Sequence, residues 1–267
     1  MNQGTEAVGF DPDFLREPLA VPSAPGMATA QLDYVHFSLQ LNTERRLAWW
    51  VAWNIDGRRL FSADGIHRVD FRADDRLSDE LQTLNDLYLD NHLDRGHIAR
   101  RADLLWGTLP EALAGNRDSF FYTNITPQMR DFNQSRRDGV WGLLENAVLE
   151  LDKIESRRVT LFGGPVLAAS DPVYRGRQIP KDHWKVVAYA VGGQVQFRCF
   201  VLSQDLNPDR IETMDYLDEF KTHQVTLTDL EMRTGLQFES LRSHDDGLLA
   251  RALEGGRVVA DARDVEW

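Results

Sequence analysis

An α+β fold on a mainly antiparallel central sheet is the architecture this chain predicts, and three observations predict it. Segments with the two-residue alternation of strands come as neighbouring pairs: residues 32–41 with 47–55, and 184–191 with 194–202. Helical spacing lies between and after these pairs. Strands and helices do not alternate in the regular βαβ order that a parallel sheet requires.

Taken in order, residues 1–30 are rich in Pro, Gly, Ala and acidic groups and read as an irregular N-terminal arm. Residues 31–243 then read as one domain without a linker or internal repeat, and 244–267 as a polar tail with one weak helix at 248–253. The first strand alternates around Tyr34, His36 and Ser38, and the chain returns through Asn42-Thr43-Glu44-Arg45. The second strand carries Trp49, Trp50 and Trp53. Such rings can stack on bases, but in an apolar strand they fit a core better. Asp56-Gly57 ends it as a turn. Residues 78–89 show helical spacing at Leu81, Leu84, Leu87 and Tyr88, residues 119–123 read as a strand that Pro127 stops, and 133–154 carry a helical pattern that is firmest from Trp141 to Leu151. Residues 159–162 form a strand broken by Gly163-Gly164-Pro165, and Gly192-Gly193 closes a hairpin. Thr228-Asp229-Leu230-Glu231 matches a capping box, so a short helix should begin near Asp229.

Bulk properties narrow the function classes. A chain of 267 residues can bury a sizeable core. No apolar run approaches the ~20 residues of a membrane span, so no membrane partner is expected. The first 25 residues show no basic start and apolar stretch of a secretory signal, so localisation stays open, with a cytoplasmic protein or one exported by a signal-independent route as the expectations. The single cysteine, Cys199, excludes an intrachain disulfide and paired-cysteine zinc sites, and its alternating apolar surroundings mark it as core. No G-x-S-x-G, P-loop, G-x-G-x-x-G or H-E-x-x-H motif is present. A net charge of −12 alone argues against a nucleic-acid partner. The window 94–138, however, holds seven Arg against six Asp and Glu. Arg95, Arg100, Arg101, Arg130, Arg136 and Arg137 can form a local basic face, with a solvated helix surface as the plainer alternative.

The chemistry concentrates in the same window. Asp94-Arg95-Gly96-His97 is followed by Phe120-Phe121-Tyr122-Thr123-Asn124-Ile125-Thr126-Pro127-Gln128 and then by Phe132-Asn133-Gln134. A histidine can take a proton from water near neutral pH. An arginine clamps phosphate oxygens in two-pronged fashion. An asparagine carbonyl is a neutral oxygen ligand of the kind Mg2+ accepts while keeping most of its waters, although at the first turn of a helix it is more often a plain N-cap.

These segments, with Trp141-Gly142-Leu143-Leu144-Glu145, the strand at 159–166 and Ile179-Pro180-Lys181-Asp182-His183-Trp184-Lys185-Val186, resemble the DNA/RNA non-specific endonuclease family in order and near-family spacing. The resemblance runs from about Tyr34 to Phe238. It implies a central antiparallel sheet flanked by helices, with a ββα-metal finger running from about Leu93 to Glu145. In that finger the first strand ends near His97, the second includes residues 121–124, and the helix starts near Asn133. It further implies His97 as general base, Arg95 on phosphate, Asn124 supporting the finger, Asn133 as ligand of Mg2+ (or Mn2+), and Glu145 holding metal-bound waters. The chain departs from compact members in the longer spacing between Asn133 and Glu145. Gly96 is expected to let the backbone approach a ligand closely. A further phosphate-binding arginine is expected upstream, at Arg68 or Arg72. DNA and RNA are the implied partners, with a homodimer and an inhibitor or activating partner as further expectations. A catalytically silent nucleic-acid or nucleotide-binding module on the same scaffold is the alternative, and a nuclease limited to single strands or to one sugar is a third reading.

Overall fold

Both alternating pairs enter one sheet, but residues 32–41 are not a single strand: a turn at Val35-His36, with His36 at φ 73°, folds them into two antiparallel strands. The computed structural model describes residues 9–129, 157–204, 206, 221–245, 257–259 and 265. Its strands are β1 (Leu32–Tyr34), β2 (Phe37–Asn42), β3 (Leu47–Asp56), β4 (Leu93–His97), β5 (Ile125–Met129) and β6 (Arg158–Pro165). They continue with β7 (Val173–Tyr174), β8 (Arg177–Gln178), β9 (Asp182–Val191), β10 (Gln194–Ser203), β11 (Lys221–Val225) and β12 (Arg257–Val259). Eight of them form the main sheet in the order β1-β2-β3-β6-β9-β10-β11-β12, antiparallel throughout. Strands β4 and β5 make a separate two-stranded ribbon, and β7 and β8 a small hairpin.

Alternation along each strand feeds two cores. Val51, Trp53 and Ile55 face one side with Phe37, Leu161, Val187 and Phe200, while Trp50 and Ala52 face the other with Phe162, Val186, Cys199 and Val201. Trp50 and Trp53 are thus core residues, and Cys199 is buried as its strand pattern requires. Each Val, Leu, Ile or Phe side chain so enclosed contributes roughly 1.5–3 kcal/mol by leaving water. The second core is covered by Leu227, Leu230 and Leu241 from two short helices and by Phe14, Leu15 and Leu19 from the N-terminal segment. At the other end of the chain Val259 and Val265 are buried in the first core, and β12 pairs with β11, so part of the stretch read as a polar tail belongs to the sheet.

Three helices stand among the described residues: α1 (Leu109–Ser119), α2 (Leu227–Thr234) and α3 (Glu239–Arg242). Helix α1 was not anticipated, although Thr108-Leu109-Pro110-Glu111 carries its signal: Thr108 and Glu111 form a reciprocal capping box with proline in the first turn. The capping box expected at Thr228 does not form, and the helix starts two residues earlier than that box implied. Thr226 is the N-cap, accepting from the Asp229 N–H at 3.1 Å, and Glu231 instead accepts from the Phe238 N–H and pairs with Arg242. The helix expected at 78–89 is replaced by two 3₁₀ turns, Asp79–Leu81 and Asn85–Tyr88. Tertiary hydrogen bonds hold the chain extended between them. The Gln82 amide clasps both backbone groups of Asp74, at 2.8 and 3.0 Å, and the Thr83 hydroxyl donates to the Arg46 carbonyl at 3.0 Å.

One buried ion pair braces the loop between β6 and β9. Arg45, in the β2–β3 turn, meets Asp171 at 2.5 Å, and its guanidinium also donates to the carbonyls of Ala168 and Gln178 at 3.0 and 3.3 Å. The ribbon is held to the main sheet by His183 of β9, whose Nε2 lies 3.2 Å from the Thr126 hydroxyl of β5. Burial drives the His183 pKa from 6.5 down to about 3. A base that binds its proton less tightly when folded contributes fully above pH 6.5, and that contribution is lost as pH falls toward the folded value. Between pH 7 and 5 His183 alone should account for about 2 kcal/mol of lost stability. Urea unfolding of wild type and His183→Gln at both pH values checks this: the variant should lose less on acidification, and equal losses would mean that His183 is protonated in the folded protein.

Candidate active site

The ribbon of β4 and β5 carries the central motif. Arg95 stands opposite Pro127, Gly96 opposite Thr126 and His97 opposite Ile125. The second strand is therefore 125–129, four residues beyond the expected start at 121. Phe120 is instead the C-cap of α1, Phe121 forms an isolated parallel bridge with Arg72, and Tyr122–Asn124 make a 3₁₀ turn. The apolar run Phe120-Phe121-Tyr122 looked like a strand because a short apolar run does not reveal its period.

Alternation gives the ribbon two faces. Leu93 and Ile125 point into an apolar cluster with Leu87, Tyr88, Tyr122 and Ile179, and Arg95 and His97 share the Leu93 face. On the other face Thr126 meets His183, and Gly96 lies under the Gln128 side chain. A Cβ at Gly96 would fall 2.1 Å from two atoms of Gln128. The glycine therefore makes room for a side chain of the facing strand rather than for a ligand.

Asn124 fixes the two residues after His97. Its carbonyl oxygen accepts from the Ala99 N–H at 2.9 Å, and its Nδ2 donates to the carbonyls of Ala99 and Ser119 at 3.0 and 3.1 Å. The Ile98 N–H adds a bond to the Asn124 backbone carbonyl at 3.0 Å. One fully buried amide thus imitates a strand neighbour for Ile98 and Ala99 and ties them to the end of α1. Asp103 extends the hold: it accepts from the Trp53 indole at 3.2 Å and pairs with Arg100 at 2.8 Å.

His97 sits between aromatic rings, with Phe71 at 5.6 Å and the edge of Phe120 at 5.1 Å. Its Nε2 is buried and has no hydrogen-bond partner among the described residues. Burial first, then the positive charges of Arg68 and Arg101, lower its pKa from 6.5 to about 3. The imidazole is therefore neutral at physiological pH and able to accept a proton. Arg95 lies alongside, bonded to the Asn85 side-chain oxygen, with its guanidinium 5.4 Å from the Phe71 ring and 5.2 Å from Tyr88. An open cleft of about 440 Å3 adjoins it, lined by Asp70, Phe71, Arg72, Asn85, Arg95 and Tyr122 among others.

The two upstream arginines separate. Arg72 stacks on Phe121 at 4.0 Å and pairs with Asp118 at 3.6 Å. Its backbone bonds the Phe120 carbonyl and the Tyr122 N–H, which carries Phe71 and Arg68 to the motif. Arg68 is exposed, lies 5.2 Å from the Phe120 ring, makes no ion pair among the described residues, and acts electrostatically on His97. Arg100 and Arg101, expected on a basic face, are structural instead. The first is paired with Asp103, and the second bonds the Asn116 side chain and the carbonyls of Ala63 and Ile66. Phe71, Asn85 and Tyr88 carry no site signal in the sequence because they come from separate turns and no spacing links them to the motif. Asn133 and Glu145, with Arg130, Arg136 and Arg137, lie outside the described residues. Among the described residues no group of three His, Cys, Asp or Glu converges to hold a metal.

A sequence profile for DNA/RNA non-specific endonuclease matches residues 17–244. The chain is 36% identical over 201 residues to the uncharacterized protein y4fB of Sinorhizobium fredii, which covers 67% of this chain but 30% of that protein. A nuclease from Nostoc sp. is 26% identical over 212 residues, covering 76% and 71% of the two chains. Mitochondrial endonuclease G from Homo sapiens is 25% identical over 233 residues, covering 82% and 72%. A solved structure of the EndoG/EndoGI complex, described as showing the mechanism of EndoG inhibition, shares the fold with a TM-score of 0.64 and 20% identity over 87% of this chain and 93% of that one.

The Gly96–Gln128 packing gives a direct test of the ribbon. Gly96→Ala should destabilise the protein by roughly 1–3 kcal/mol through overpacking. Adding Gln128→Ala should recover much of that loss. Thermal melts of the two single variants and the double variant check it: strictly additive losses would show that Gln128 is not what the added methyl meets.

Proposed function

This chain belongs to the DNA/RNA non-specific endonuclease family, and we propose that it hydrolyses the phosphodiester bonds of DNA and RNA with His97 as general base. The observation that carries this reading is the state of His97: a neutral imidazole with a buried nitrogen that has no partner among the described residues, beside Arg95 and Arg68 at the end of β4. One ring nitrogen keeps its proton and the other accepts one from water as that water attacks phosphorus. A positioned base is worth about 10²–10⁴-fold. Low basicity in the free protein keeps the imidazole unprotonated, and an arriving phosphate, by its negative charge, raises that basicity during the reaction.

Arg95 is held by Asn85 and two rings, so its guanidinium meets a phosphate oxygen without a search for its rotamer. Arg68, without an acidic partner among the described residues, is the better placed of the two upstream arginines to offset charge on the phosphate. Asn124 is a positioning residue, acting through Ile98 and Ala99. Divalent metal is expected for this family. Asn133 would hold Mg2+ and Glu145 its waters, and the ion would supply charge for the departing oxygen. Contacts to the sugar-phosphate backbone and not to base edges account for low sequence preference.

Purified protein incubated with supercoiled plasmid and with RNA, in Mg2+ and in EDTA, tests the reading. Both substrates should be degraded in Mg2+ only, and His97→Ala should lose nearly all cleavage while still binding nucleic acid. Cleavage by His97→Ala at the wild-type rate would remove His97 from the mechanism, and no cleavage by wild type under any divalent ion would favour a binding module. Arg68→Ala should lower kcat by about 10²-fold, whereas Arg72→Ala should chiefly lower the melting temperature by removing the Phe121 stack and the Asp118 pair. The reverse pattern in kinetics and melts would exchange their roles.

A further inference from the structure

We infer that the β7–β8 hairpin is a second contact for the nucleic-acid backbone, with Arg177 meeting a phosphate away from the bond that is cut. This inference rests on the nuclease reading of the adjoining cleft. The hairpin sequence Val173-Tyr174-Arg175-Gly176-Arg177-Gln178 holds two arginines and no carboxylate, in a chain of net charge −12. Its two-residue loop has both positions at positive φ, 48° at Arg175 and 73° at Gly176, the mirror-image turn that matches the twist of paired strands.

The register decides where Arg177 points. Tyr174 stands directly opposite Arg177, and residues so paired share one face. Tyr174 packs against the cluster of Leu87, Tyr88, Leu93, Tyr122 and Ile179. Ile179, two residues beyond Arg177 and on its face, is in that cluster, with its N–H bonded to the Pro172 carbonyl at 2.8 Å to prolong the ladder. Phe71 and Leu84 pack on the same cluster and also line the cleft beside Arg95. Cleft and hairpin therefore share one apolar cluster as their floor, and Arg177 stands on the hairpin face that carries Tyr174.

The two arginines divide the work. Arg175 donates to the carbonyls of Asp86 and Leu89 at 3.2 and 2.6 Å, next to Asn85 and Tyr88, which hold Arg95. It fastens the hairpin to the rim of the cleft. Among the described residues Arg177 reaches only the Gly176 carbonyl, at 3.5 Å, and forms no ion pair. Its charge is left for a ligand, and a polyanion that extends from Arg95 over the shared cluster to the hairpin would meet it.

The test is salt dependence of binding. Affinity of the full chain for a labelled 30-base-pair duplex is measured in EDTA by fluorescence anisotropy over a range of salt, for wild type, Arg177→Gln and Arg177→Lys. Removing one phosphate-binding cation should flatten the slope of log affinity against log salt by roughly 0.9. Arg177→Gln should show that change and weaker binding at low salt, while Arg177→Lys should keep the wild-type slope. Identical slopes for wild type and Arg177→Gln, or no binding by wild type, would overturn the inference. Plasmid cleavage by wild type in Mg2+, run alongside, separates the two readings: a flattened slope without cleavage would leave the phosphate contact standing and remove the nuclease reading.

Discussion

The position of His97 depends on one buried amide. Asn124 replaces a missing strand partner for Ile98 and Ala99, using both its carbonyl and its NH2 group, and so turns a loop into a fixed platform. A buried amide that satisfied only half of its capacity would cost more than an apolar residue there. The neighbours are committed in the same way. Thr123 shares a bond of 2.7 Å with the Tyr34 hydroxyl, which itself donates to Asp74 at 2.5 Å, and Asp74 is clasped by Gln82. The segment that bears the proposed base is therefore locked to the first strand of the sheet by polar groups in a place where water cannot compete.

Around that platform, aromatic and cationic groups interleave. Phe71 lies within ring-contact distance of both His97 and Arg95, so one side chain sets the spacing of the proposed base and its phosphate clamp. Arg72 and Arg68, four residues apart, have opposite fates because one finds Asp118 and the other finds no carboxylate among the described residues. Electrostatic character here follows from which arginines are already occupied, not from how many there are. Arg100 and Arg101 are basic in composition and structural in fact.

Much of this was legible in the sequence where a short-range rule applied. The hairpin through Gly192-Gly193, the strand pair joined through Asn42 to Arg45, and the core role of Trp50, Trp53 and Cys199 all follow from alternation and turn chemistry. The motif around His97 was legible because its residues are contiguous. The features that escaped depend on distant partners. The 3₁₀ turns of 79–88 exist because Gln82 and Thr83 are claimed by Asp74 and Arg46, and the role of Gly96 depends on Gln128 across the ribbon. The aromatic box around His97 draws on residues from separate turns, and its geometry arises only when Arg72 pairs with Phe120 and Tyr122. Helix α1 is a different case, since its capping box and proline were present in plain view.

The Arg45–Asp171 pair has a consequence for how this surface responds to its medium. Its partners are almost completely enclosed, at 10% and 1% exposure, and Arg45 also grips the carbonyls at both feet of the loop that carries the small hairpin. Mobile ions screen charges that face solvent and scarcely reach a pair sealed from it. Shape and grip are thereby uncoupled. A rise in ionic strength weakens the pull of exposed guanidinium groups on any anion, yet the frame presenting them keeps its form.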